Sequence, residues 1–98
     1  MNSLVTYDVS TGQTEVKDAL KEISYLDYWV NDSVTYTLPE TTLWKKNARP
    51  SKVVQEIKSV LETLNKDIPL KKNKIVLERC VAVKFDLWAG IEGEEYSE

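Results

Sequence analysis

An α+β fold with a ferredoxin-like order of elements, βαββαβ, follows from three observations on the sequence. Two segments carry apolar residues at the helical period, and several shorter segments are rich in β-branched and aromatic residues. The strand-type segments lie before, between and after the helical ones, an order that gives an antiparallel sheet with two helices on one face. At 98 residues with 42% hydrophobic content, the chain has room for one two-layer core.

The first strand is Leu4-Val5-Thr6-Tyr7-Asp8-Val9, closed by the turn residues Ser10-Thr11-Gly12. From Thr14 the apolar positions Val16, Ala19, Leu20, Ile23 and Leu26 mark a first helix, with Thr11 or Thr14 as its cap. That helix is expected to run to about Leu26. Tyr28, Trp29 and Val30 are poor helix formers, and Asn31-Asp32-Ser33 is a turn cluster. Val34–Leu38 and Thr41–Lys45 read as a hairpin around Pro39-Glu40 or, alternatively, as one strand with a bulge at the proline; the hairpin is favoured. Pro50 suits a first helical turn, and Val53, Val54, Ile57, Val60, Leu61 and Leu64 define a second helix that stops before Pro69.

Ile75 to Leu87 has no Gly or Pro and alternates, its odd positions apolar except Arg79. Such a length predicts a bend, a bulge near Arg79-Cys80 or a division between two sheets or subunits. Residues 1–91 are read as one domain. Residues 92–98, with Glu92, Glu94, Glu95 and Glu98, are read as an acidic, disordered tail that serves solubility. Three Trp and five Tyr exceed what one small core readily buries, and Trp44, Trp88 and Tyr36 fall on or beside strands. The uncovered sheet face therefore calls for a partner, most simply a second copy in a homodimer.

Composition excludes several chemistries. With no His, there is no Ser-His-Asp or Cys-His catalysis and no His-ligated zinc. Cys80 is the single cysteine and reads as a small buried residue with no chemistry. The absence of a signal peptide and of a long apolar run predicts a soluble cytoplasmic protein with no membrane partner.

Net charge is −3, but it is uneven. Residues 45–74 hold nine bases (Lys45, Lys46, Arg49, Lys52, Lys58, Lys66, Lys71, Lys72, Lys74) against three acids (Glu56, Glu62, Asp67). Such a stretch can bind nucleic-acid phosphates, with Trp44 as a stacking surface beside Lys45 and Lys46, or it can be a solvated helix face of Lys/Glu pairs. Arg79, a charge on an apolar strand face, is expected to be turned out by a bulge or paired with a carboxylate, for which Asp8 is a candidate.

The run Leu4-Val5-Thr6-Tyr7-Asp8-Val9, the strand Thr41-Thr42-Leu43-Trp44 and the long last strand together resemble the small CRISPR-associated endonuclease family and its SinR-like relatives. That family is the non-integrase partner in spacer acquisition. The resemblance implies a ferredoxin-like homodimer joined through its sheets, with C-terminal strands that cross to the partner. It also implies a catalytic Asp8 that, with its copy in the second subunit, holds a divalent ion such as Mg²⁺ in a metal-dependent endonuclease. The reading without metal has Asp8 bonded to the turn that follows it or capping the first helix. The first helix carries Lys17 and Lys21 among Glu15, Asp18 and Glu22, where nucleic-acid-gripping members have several Arg; this moves the chain toward the SinR-like group, whose function is not established. Nucleic-acid contacts are expected from Lys45, Lys46, Arg49, Lys52 and Arg79. The alternative is a non-catalytic module of the same fold that recognises a protein.

Overall fold

The computed structural model describes residues 1–69 and 73–84. Its elements run β1 (Ser3–Val9), α1 (Gln13–Glu22), β2 (Tyr28–Asn31), β3 (Val34–Thr37), β4 (Thr42–Lys45), α2 (Pro50–Lys66) and β5 (Leu77–Lys84). The domain is α+β, with an antiparallel sheet and two helices. Among the described residues it has five strands, not four, and they form two sheets. β1 lies at the centre of a three-stranded sheet between β4 and β5, and β2 pairs with β3 in a separate ribbon. Just before the ribbon, Leu26 forms an isolated bridge to the main sheet, exchanging backbone bonds of 2.8 and 3.0 Å with Trp44.

Alternation along β1 sorts the core. Val5, Tyr7 and Val9 are buried beneath the helices with Val16 and Leu20 of α1, Val53, Ile57 and Leu61 of α2, and Leu43, Tyr25 and Ile75. Leu4, Thr6 and Asp8 point to the opposite face. Burying each of the large aliphatic side chains contributes about 1.5–3 kcal/mol, so the helix-covered side carries most of the stability.

Four local expectations are corrected. First, α1 ends at Glu22 because Ser24 takes a left-handed conformation (φ 78°). The Tyr25 and Ser24 amides then donate to the Leu20 and Lys21 carbonyls, a helix stop that normally uses glycine. Second, the residues after α1 form β2, and the hairpin partner of β3 is β2, not β4. Asp32 and Ser33 both have positive φ (49° and 68°), the geometry of a two-residue hairpin turn. Third, α1 has no side-chain cap; Gly12 precedes it in a left-handed conformation, where an added Cβ would come within 2.8 Å of Ile75.

The fourth concerns the last strand. Its core-facing residues are Cys80 and Ala82, with Leu77 brought to the same side by a register shift that pairs Asp8 with Arg79 but Val9 with Leu77. The strand begins at Leu77, not at Ile75, and Val81 and Val83 of its largely apolar odd face are 59% and 48% exposed on the other side. Helix α2 packs directly over this strand, and small Cys80 and Ala82 admit it. Phe85, Leu87, Trp88, Lys71, Lys72 and the acidic tail lie outside the described residues.

Candidate nucleic-acid interface

The cations of residues 45–74 divide by position. Lys45 alternates toward the helices, where its Nζ lies 3.0 Å from both carboxylate oxygens of Glu56 and 5.0 Å from the Tyr25 ring centre. The Tyr25 hydroxyl donates to the same Glu56 over 2.9 Å. Burial, and then the Glu56 carboxylate, push the Tyr25 hydroxyl far above its ordinary titration range. Lys45 is thus a structural residue, tied into a half-buried network. Lys74 is likewise occupied, donating to the carbonyls of Asn65 and Ile68 and helping to stop α2.

Lys46, Arg49 and Lys52 are exposed, and none forms an ion pair with a described residue. Lys46 lies on the short connection from β4 to α2, Arg49 at the N-cap of α2 and Lys52 in its first turn. Arg49 is the N-cap residue of α2 with no side-chain cap bond, Pro50 opens the helix, and the first turn contains no acid. Exposed cations at the positive end of a helix dipole oppose folding, together by about 0.5 kcal/mol once salt screens them. An anion bound there would reverse that cost, because helix N-termini present backbone N–H groups to phosphate.

Lys46 links this cluster to an aromatic recess. Its Nζ lies 5.8 Å from the Trp44 ring centre. Leu26, Tyr28, Trp29, Val30, Trp44 and Lys46 line a depression of about 310 Å³ between the β2–β3 ribbon and the sheet. The Trp44 indole N–H donates to the Tyr28 carbonyl over 2.6 Å, and the Trp29 and Trp44 rings lie 4.4 Å apart at 59°. Trp44 is only 4% exposed, so it is a poor stacking surface. Tyr28 and Trp29, half-buried on the ribbon, present the aromatic surface that the sequence reading assigned to Trp44. The available signal was strand-forming residues on both sides of Asn31-Asp32-Ser33.

Asp8 and Arg79 lie far along the same open face. The Arg79 Nε donates to Asp8 Oδ2 over 2.7 Å across the β1–β5 pairing, with side chains 48% and 79% exposed for Asp8 and Arg79. Asp8 neither caps α1 nor bonds the following turn; it neutralises Arg79. Within one chain it offers a single carboxylate, and that carboxylate is engaged. A divalent ion there would need the guanidinium displaced and more oxygens supplied by another copy. Among the described residues, no group of three or more Cys, Asp or Glu side chains gathers into a metal site. Cys80 is half-buried and its thiol is pushed up by burial, away from thiolate reactivity.

No protein-family model, no curated protein and no solved structure matches this chain. Among the described residues, no helix is long and apolar enough to cross a membrane.

Proposed function

We propose that the protein is a divergent ferredoxin-like, SinR-like homodimer that binds single-stranded nucleic acid without cleaving it. The carrying observation is the trio Lys46, Arg49 and Lys52: three exposed cations with no acid between them in the chain, Lys46 beside the aromatic recess and Arg49 and Lys52 at the uncapped positive end of α2. Such an arrangement costs stability in the free protein and is repaid on contact with phosphates. The adjoining Tyr28–Trp29 recess suits unpaired bases, which stack on aromatic rings beside backbone-binding cations. Asp8, held by Arg79, serves as a partner for that arginine in this reading, and Arg79 is withdrawn from phosphate contact.

The dimer has its own support. Val81 and Val83 stand exposed beside Thr6, next to the Asp8–Arg79 pair. Across a two-fold axis, Asp8 of one copy can meet Arg79 of the other, so the strip is complementary to itself in charge as well as apolar. A ferredoxin-like arrangement is supported by the central position of β1 between β4 and the last described strand, with the β2–β3 ribbon as an addition at the β4 edge.

Fluorescence anisotropy with labelled single-stranded DNA and RNA tests the binding. The reading expects affinity that falls steeply with salt and is lost in the K46Q/R49Q/K52Q variant. Absent or salt-independent binding would reject it in favour of the protein-interaction module. Mg²⁺-dependent cleavage lost in Asp8→Ala would replace it with the nuclease. Sedimentation of wild type against Val81→Lys tests the dimer, which the substitution should dissociate.

A further inference from the structure

A second recess, on the helix side of the domain, is independent of the phosphate-binding reading. It lies between α1 and the turn before β4 and measures about 220 Å³. Tyr7 lines it from the sheet, Thr14, Lys17 and Asp18 from α1, and Glu40 and Thr41 from the turn. This is smaller than the 300–1,000 Å³ of drug-sized ligand sites, so any occupant is small.

Its floor contains an unexplained group. Tyr7 is 2% exposed, and its buried hydroxyl has no hydrogen-bond partner among the described residues. Lys17, beside it in the recess, reaches Asp27 Oδ2 at 3.7 Å, and the other oxygen of that buried carboxylate is also without a partner. Orphaned polar atoms are rare in native interiors, and the Tyr7 hydroxyl, on a residue that lines this recess, marks a place for a hydrogen-bonding guest. The rim carries both signs of charge. Lys17 is positive, as is the dipole at the start of α1, which has no side-chain cap and carries Glu15 in its first turn; Asp18 and Glu40 are negative. A simple anion would face two carboxylates, and a simple cation would face Lys17 and the helix end. A small molecule bearing both charges meets a partner on each side.

We propose that this recess binds a free α-amino acid. Its carboxylate lies toward Lys17, the α1 N-terminus and the Tyr7 hydroxyl, which donates to it; its ammonium lies toward Asp18 and Glu40.

The test is titration of ¹⁵N-labelled protein with glycine, alanine, glutamate and lysine, with acetate and methylammonium as the two half-ligands, following the Thr14, Lys17 and Thr41 amides by NMR. At least one amino acid should give saturable shifts with an affinity about tenfold or more above either half-ligand. Tyr7→Phe, which removes one oxygen, should weaken it about tenfold, the loss of one buried hydrogen bond. Glu40→Gln, on the exposed turn, should weaken it too, whereas K46Q/R49Q/K52Q should leave it unchanged. No saturable shift, equal binding of acetate alone, or affinity undiminished in both Tyr7→Phe and Glu40→Gln would overturn the proposal.

Discussion

Lys17, Lys21 and Lys45 differ from Lys46, Arg49 and Lys52 in what surrounds them, although all six are cations on or beside the same two-layer domain. Those of the first set reach a carboxylate, Asp27 or Glu56, that is itself mostly buried. Those of the second set stand exposed on the way into α2, where the helix dipole opposes Arg49 and Lys52. The first arrangement is what a stable fold requires of a charge at its margin. The second is not explained by stability, and it is the arrangement on which the proposed phosphate contact rests. Position relative to the sheet, not charge density along the chain, separates the cations that reach a carboxylate from those that do not.

The largest expected effect lies on the structural side. Glu56→Ala removes the acceptor of both Lys45 and the Tyr25 hydroxyl, leaving two partly buried donors unsatisfied. It should cost about 2 kcal/mol, read as a lower urea midpoint. A comparable effect comes from pH. Burial raises the Tyr7 hydroxyl from 10.0 to about 12, so the folded state holds its proton longer than the unfolded chain. The resulting stability is fully present below pH 10 and lost as pH rises toward 12. Two pH units correspond to about 2.7 kcal/mol at most. Alkaline unfolding curves of wild type and Tyr7→Phe should therefore converge below pH 10 in slope and diverge above it, the variant losing less.

A smaller effect is expected at Arg79→Ala, which breaks an exposed pair and should cost less than about 1 kcal/mol in the monomer. A larger loss that depends on protein concentration would indicate that the pair is buried between copies. The smallest effect should be that of K46Q/R49Q/K52Q. Relieving like charge at the α2 N-terminus should leave stability unchanged or raise it by about 0.5 kcal/mol by thermal melting.

The sequence made the helices legible through the apolar period of Val16–Leu20 and Val53–Leu64, and it made β1 legible through its β-branched run. It hid the ribbon because the turn uses Asp32-Ser33 without glycine, and it hid the end of α1 because Ser24 occupies a position where glycine is the usual signal. The alternation of β5 alone did not say which face meets the helices; Cys80 was read as a small buried residue, and close approach of α2 places it and Ala82 on the core side. At the site, the basic run was visible as charge, whereas only the packing tells Lys45 from Lys46. The Asp8–Arg79 pairing was foreseen from the cost of a lone guanidinium on a strand, and the bulge foreseen as its alternative also lies next to it.

The central claim is that Lys46, Arg49 and Lys52 form a phosphate-binding cluster, and the measurement that tests it most directly is the salt dependence of single-stranded nucleic-acid affinity in wild type and in K46Q/R49Q/K52Q. Neutralising three phosphates contributes a slope of about −2 in log affinity against log salt. The account predicts that the triple variant loses that much slope along with its affinity, while a Lys58→Gln control on the exposed face of α2 loses neither. Equal slopes in wild type and triple variant would contradict it.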